Sequence, residues 1–405
     1  MKFMGYKRPD GSVGVRNYVA VLPATSCVNE AVIRISKGIE NAVPLPHNQA
    51  CSLLGEDIER KKRTLIGICQ NPNVAAVLVV GLGCEAPSAQ ELAQTIAKSQ
   101  KPVKFITVDE IGKFDRMVDR GRKITQELCH YASNIQREQV EASYLTLAVK
   151  CAGSDPISAV TSNLIVGKVA DLVIEEGGTV IFSEITEMIG AEHALRKRAV
   201  NKEVGKRILE IVNKHEERIK STGVDLRGTE PNPANIQEGL TTIEEKSLGA
   251  IIKGGTKPIQ GVLEYAEKLT GKGLFIMDSV DRTAEVITGM TAAGAQLLVV
   301  SMGGGIPSRV PMLPAGAGRS PLMPVVKIIG NPRRIYETVP AYAEEIINGN
   351  FDISAEEVLE GKETIDQCAQ RLCQKVLDVA FREKSKTEFR QYIEPLSIYI
   401  LGPVV

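Results

Sequence analysis

Residues 75–83 read AAVLVVGLG and residues 144–151 read YLTLAVKC, short apolar runs that end in glycine or in small, polar or sulfur-bearing residues. Five more runs have the same character: VAVLPAT (19–25), VKFITVD (103–109), GTVIFSE (178–184), GLFIMDS (273–279) and AQLLVVSMGGG (295–305). A strand with one face in water alternates apolar and polar residues, whereas a strand covered on both faces is apolar throughout. The runs therefore predict buried parallel strands. Apolar periodicity and charge distribution predict helices over roughly 113–140, 157–176, 192–220, 282–294, 333–348 and 362–381. The fold class is α/β: parallel-sheet, Rossmann-like domains packed together, with helices on both faces.

A chain of 405 residues exceeds the size at which one core stops growing. We place boundaries near 145 and 260: a first α/β catalytic domain (1–145), a middle α/β segment (146–260) with a long active-site loop at 221–239, and a C-terminal Rossmann-like domain (261–405). Lysine plus arginine and aspartate plus glutamate both total 49, so the net charge is zero and neither nucleic acid nor a membrane surface is an expected partner. The first residues carry no apolar core of signal-peptide length, and no later run reads as a membrane span. A soluble, cytoplasmic protein with reduced thiols is expected, since the eight cysteines are scattered rather than spaced for a disulfide framework.

In open parallel sheets ligands bind beyond the carboxyl ends of the strands. Here those ends carry Thr25-Ser26-Cys27-Val28-Asn29, then Gly83-Cys84-Glu85 after His47 and Cys51, then Cys151-Ala152-Gly153-Ser154-Asp155, then Ser183-Glu184-Ile185-Thr186-Glu187. A lone cysteine at a strand end is more often a small core residue than a ligand. Four successive ends with thiols and carboxylates point instead to a site on one rim. Cys69, Cys129, Cys368 and Cys373 fall in helical stretches and read as structural. Gly303-Gly304-Gly305 follows a strand, but Pro307 and later prolines prevent the helix that a dinucleotide loop must open.

Taken in order, GYKRPDGSVGVRN (5–17), PATSCVN (23–29), His47 with Cys51, VLVVGLGCE (77–85), KCAGSDPISAVTSN (150–163), FSEITEMIGAE (182–192) and NPANIQEGLTTIEEKSLG (232–249) resemble the signature segments of altronate and galactarate dehydratases. RAVNKEVGKRILE (198–210) looks especially like the galactarate enzyme. The resemblance covers nearly the whole chain. It implies a hydro-lyase that requires a divalent metal, commonly iron, with manganese or zinc as alternatives, and that turns a sugar acid into a 3-deoxy-2-keto acid. Those dehydratases carry a small β-rich domain ahead of the segment that starts here at residue 5. The chain is also similar to the large subunit of a sulfolactate sulfo-lyase, where the small domain is a separate subunit, so a small β-domain partner is expected. A homodimer is common at this size.

The pattern departs from the dehydratases in three places. His47-Asn48-Gln49-Ala50-Cys51 stands where they have histidine and then tyrosine-glycine-cysteine; Ala234-Asn235-Ile236 replaces glycine-asparagine-lysine; Gly303-Gly304-Gly305-Ile306-Pro307 replaces glycine-arginine-glycine-threonine-proline. Lost polar groups predict weaker binding of long polyol chains. Arg309 and Arg319 offer a replacement anion contact. The expected metal ligands are His47, Cys84, Glu85 and Cys151, with Cys51 and Cys27 next. Mixed thiolate, imidazole and carboxylate donors suit iron or zinc, and an iron–sulfur cluster on Cys51, Cys84 and Cys151 stays open. Glu184 and Glu187, with His47, are the expected acid/base groups, and Asn29, Ser154, Asp155, Asn163, Asn235 and Arg319 the substrate contacts. The competing reading from another class is a silent sugar-acid-binding protein.

Overall fold

The computed structural model describes residues 1–51, 53–305, 320–389 and 395–402. Strands run in chain order as β1 (Lys2–Lys7), β2 (Val13–Gly14), β3 (Tyr18–Pro23), β4 (Ala42–Pro44), β5 (Val74–Gly81), β6 (Val103–Thr107) and β7 (Glu138–Glu141). They continue as β8 (Thr146–Ala152), β9 (Thr179–Phe182), β10 (Ile259–Leu263), β11 (Gly273–Met277), β12 (Leu297–Met302), β13 (Val325–Ile329) and β14 (Ile353–Ser354). All seven apolar runs are strands. β13 also lies in an apolar stretch, whereas β4 and β14 are too short, and β1, β7 and β10 too polar or glycine-broken, to register as buried runs.

A four-stranded parallel sheet has the order β4-β3-β5-β6, and a seven-stranded parallel sheet the order β10-β11-β9-β8-β12-β13-β14. The antiparallel ribbon β2-β1-β7 is a sheet of its own, with Phe3, Val13 and Val140 packed into the core on the far face of the larger sheet. Residue 260 lies within β10, and β10 and β11 pair in parallel with β9, so the segments on either side of 260 share one sheet. The expected third domain therefore shares its core with the second. The expected loop at 221–239 holds structure of its own: a 3-10 turn at Leu226–Gly228 and a short helix at Pro233–Gln237, capped by the Asn232 side chain.

One core joins the two sheets, taking Ala20, Leu22, Val77 and Val79 from the smaller and Ala148, Ile181, Leu298 and Val300 from the larger. Between them the helices Glu56–Gln70 and Thr283–Ala293 touch at Gly67, where a Cβ would stand 2.5 Å from the Ala292 carbonyl oxygen. Asn71 and Asn73 lock this junction: their side-chain amides donate to the carbonyls of Thr291, Ala295, Gln296 and Leu322. Within the helical stretch Pro156–Glu175 an apolar window meets a membrane span in length and composition, yet 56% of that window is buried. Its residues Ile165, Val166, Val169 and Val173 pack in the core on the far face of the larger sheet, which makes it a core helix here.

Candidate functional site

Both sheets change the direction of strand order, beside β3 and beside β8, the positions where open parallel sheets commonly bind ligands. At β8 the strand that looks apolar carries Lys150, 2% exposed, followed by Cys151. β9 ends before Glu184, whose φ of 77° puts a non-glycine residue in the left-handed region, and a 3-10 turn at Ile185–Met188 then presents Glu187. Such strain persists where surrounding contacts hold it, commonly at functional sites. Here they are numerous. Glu184 accepts from Lys150 Nζ at 2.6 Å, from Lys253 Nζ at 3.0 Å and from the Cys151 backbone N–H at 3.3 Å.

Lys253, from the turn after the helix Ile243–Ile251, closes the cluster. Its ammonium lies 2.6 Å from Glu187 Oε2 and 3.2 Å from Cys151 Sγ, and the Cys151 thiol donates to Glu187 Oε2 at 2.9 Å. Cys151, Glu184 and Glu187 have ligand atoms all within 4.8 Å of one another, a possible metal-binding triad. Their chemistry suits iron, zinc or manganese. Lys253, however, donates to all three donor atoms, and with Lys150 it matches the two carboxylate charges. A divalent ion would have to displace an ammonium, so the triad as built does not fit one.

The charges set each other's protonation. Burial opposes ionisation of Glu184, but the Lys150 and Lys253 ammonium groups outweigh it and hold the carboxyl at about 2. Burial also works against charge on Lys253, and Cys151, Glu184 and Glu187 reverse it, leaving the ammonium well above its ordinary range. Burial and the nearby Glu187 push the Cys151 thiol up. Half-buried Asp281 sits beside Glu184; burial and the negative charge of Glu187 and Glu184 raise its carboxyl well above the usual range. The cluster thus gathers two lysines, two glutamates, a thiol and an aspartate whose proton is held more tightly than usual.

Of the sequence-expected residues, this cluster brings together Cys151, Glu184 and Glu187 and no other. His47 is fully buried, with Nε2 bonded to the Pro23 carbonyl at 2.8 Å and Nδ1 accepting from the Gln49 N–H at 3.1 Å, so both ring nitrogens are occupied. Burial holds the ring neutral, with a pKa of about 4. Glu85 accepts from the backbone N–H groups of Leu82, Gly83 and Ala89 and so holds a turn. Cys27, Cys51 and Cys84 are exposed at the edge of the smaller sheet.

The expected substrate contacts mostly hold the chain to itself. Asn29 uses both ends of its amide on the His47 backbone. Asp155 caps the helix at Pro156–Val160 through Ser158 N and takes Gly304 N and Asn331 Nδ2, tying the ends of β8, β12 and β13. A Cβ on Gly303 would stand 2.3 Å from the Gly153 carbonyl oxygen, which accounts for a glycine there. Asn163 bonds Gly249 and Ser301. Asn235 donates to the half-buried Ser154 carbonyl, while its buried Oδ1 has no partner among the described residues. Arg319 and Arg309 lie outside the described residues.

The groups missed in the sequence are Lys150, Lys253 and Asp281. Each left a trace: a lysine inside an apolar strand, a lysine in the apolar run AIIKGG, and a second acid in DSVD after β11. Charged residues in such runs are almost never buried unless paired.

Residues 5–133 match the family model for the second domain of D-galactarate dehydratase/altronate hydrolase, and residues 142–400 match that for the C-terminal part of D-galactarate/altronate dehydratase. The chain is 34% identical to the (2R)-sulfolactate sulfo-lyase subunit beta of Chromohalobacter salexigens, covering 93% of this chain and 92% of that one. It is 31% identical to the altronate dehydratase of Bacillus subtilis, over 84% of this chain and 68% of the relative. It is also 31% identical to the galactarate dehydratase (L-threo-forming) of Escherichia coli, over 94% and 73%. With the two models together spanning most of its length, this chain belongs to the galactarate/altronate dehydratase family.

Proposed function

We propose that the chain is a lyase that eliminates water from a sugar acid such as altronate or galactarate to give a 3-deoxy-2-keto acid. The observation that carries this reading is the buried cluster of two lysines, two glutamates and a thiol at the carboxyl edge of the larger sheet, in a chain of this family. The proton beside a carboxylate is weakly acidic. Its removal needs a base, positive charge against the developing enolate, and an acid for the leaving group.

In this reading Glu187 takes the C2 proton, and the Lys253 ammonium faces the enolate oxygen. Asp281, whose carboxyl is raised well above its ordinary range by burial and by Glu187 and Glu184, gives its proton to the departing C3 hydroxyl, and the enol that remains relaxes to the 2-keto acid. A carboxylic acid held protonated by its site can serve as a donor at neutral pH. Glu184, held at about 2, stays ionised and positions both ammonium groups. Cys151 orients Glu187 through its thiol hydrogen bond. The iron that the family resemblance implies would supply Lewis-acid charge at the substrate oxygens; no step here passes through an ion in the buried triad, where Lys253 stands.

A second reading rests on the identity to the sulfo-lyase subunit over 92% of that protein: the same cluster would expel sulfite from sulfolactate, and the chain would work with a further subunit of small β-domain type. Anaerobic incubation of the protein with iron and with altronate, galactarate or sulfolactate tests both, reading 2-keto acid and sulfite. Keto acid from a sugar acid supports the first reading and sulfite from sulfolactate the second. No product from any of the three, in the presence of a candidate small subunit, overturns both.

A further inference from the structure

Three exposed thiols follow neighbouring strands of the smaller sheet. Cys51 follows β4, Cys27 follows β3 and Cys84 follows β5, three neighbouring parallel strands in that order, beside the point where the strand order reverses. Their loops are fastened to one another. Ser26 N–H donates to the Gln49 carbonyl at 2.9 Å, the Asn29 amide grips the His47 backbone, and the His47 ring holds the Pro23 carbonyl. Beneath them Lys61, 1% exposed, donates to the Ala50 carbonyl at 3.0 Å and to the Ala86 carbonyl at 3.5 Å, joining the Cys51 loop to the Cys84 loop. Burial lowers the Lys61 pKa, and Cys51, Glu85 and Cys27 act against it, so this buried cation lies within electrostatic reach of two of the three thiols.

We propose that Cys27, Cys51 and Cys84 hold an iron–sulfur cluster by three thiolates, leaving one iron open for an oxygen of the hydroxy acid. Three points favour this occupant. Soft thiolates select iron–sulfur clusters, zinc and copper(I). A single tetrahedral ion with metal–sulfur bonds of about 2.3 Å draws its sulfurs to about 3.8 Å apart. Among the described residues the group gathered within 4.8 Å is Cys151, Glu184 and Glu187, so at least one pair of the three rim sulfurs lies farther apart than a single ion asks. The buried Lys61 ammonium offsets the negative charge that three thiolates and bridging sulfides accumulate. The remaining cysteines are no rivals: Cys69, Cys151, Cys368 and Cys373 are buried, and Cys129 is half-buried in a helix.

The assignment rests on the lyase reading only for the open iron's ligand, and the experiment separates the two. The full chain is purified anaerobically and reconstituted with iron salts and sulfide, as wild type and as Cys27→Ser, Cys51→Ser, Cys84→Ser and Cys151→Ser. Iron, acid-labile sulfide and visible absorption are measured, with circular dichroism to confirm folding. The expected result is about four irons and four sulfides per wild-type chain, at least a tenfold loss in each rim variant, and retention in Cys151→Ser. Lys61→Met is expected to keep its fold and bind less cluster. Wild-type protein that stays colourless, binds one iron without sulfide, or loses its iron through Cys151→Ser alone overturns the assignment. A chain that holds the cluster yet turns over no hydroxy acid overturns the lyase reading and leaves the assignment standing.

Discussion

The two carboxyl edges of this molecule solve opposite problems. At the larger sheet Lys150, Cys151, Glu184, Glu187 and Lys253 are at most 4% exposed, and every charge has a partner within the cluster. At the smaller sheet the Cys27, Cys51 and Cys84 thiols stand in solvent, while the residues behind them, His47, Asn29 and Glu85, spend their polar atoms on holding the loops. Buried charges must be matched on the spot because an unpaired ion in a low-dielectric interior is costly. Exposed donors face no such demand and remain open to a ligand. The difference separates a pre-set acid/base cluster from a coordination rim.

The comparison breaks most visibly at Lys253. Lys253→Met leaves Glu184 and Glu187 short of a cation, and an unfolding titration should report a loss of about 3–5 kcal/mol. Adding Glu187→Gln should restore part of that loss, since the pair is removed together. No partial recovery would mean that Lys253 is not bound to the carboxylates as described. Glu187→Gln alone keeps the shape and removes the base, so kcat should fall by roughly 10²–10⁴, with rim iron unchanged. A fall in iron instead would place Glu187 among the groups that hold the cluster.

Acid should weaken the fold in two stages. The folded pKa of His47, about 4, lies below the ordinary 6.5, so the unfolded chain takes up the proton first. The stabilisation from its neutral ring is whole above pH 6.5 and is lost as pH falls from there towards 4, an effect of about 3 kcal/mol. His215, also held at about 4 by burial, acts in the same direction. Glu184 behaves as a depressed carboxyl: its contribution is present above 4.5 and is lost as pH falls towards 2. Denaturant midpoints across pH 7 to 3 should therefore fall in two stages, with His47→Gln reducing the first and His215→Gln reducing it further. A flat profile in wild type down to pH 5 would contradict the buried neutral ring.

Smaller effects sharpen the contrast. Asp155→Ala removes the cap of the helix at Pro156–Val160 and its hold on Gly304, at about 0.5–2 kcal/mol, and should raise KM for substrate if the loops it ties frame the larger site. Cys84→Ser, at an exposed position, should change stability by less than about 0.5 kcal/mol while releasing the cluster. A large loss of stability there would make the thiol structural.

The sequence by itself determined the α/β class, all seven of the apolar strands and the thiol-bearing strand ends, because burial on both faces imposes continuous apolar runs and ligand sites follow the ends of such strands. The family signature was likewise legible, being a linear order of segments. Only the tertiary structure decided which side chains meet. Lys253 lies 102 residues beyond Cys151, yet its ammonium reaches the Cys151 sulfur, and no periodicity encodes a contact made by folding β8, β9 and a distant helix end together. It also decided against His47 and Glu85 as free donors, since hydrogen bonds to Pro23, Gln49 and the 82–89 turn claim their polar atoms. A residue type states which chemistry is available; the neighbours that share its lone pairs and protons fix which part of it is left to use.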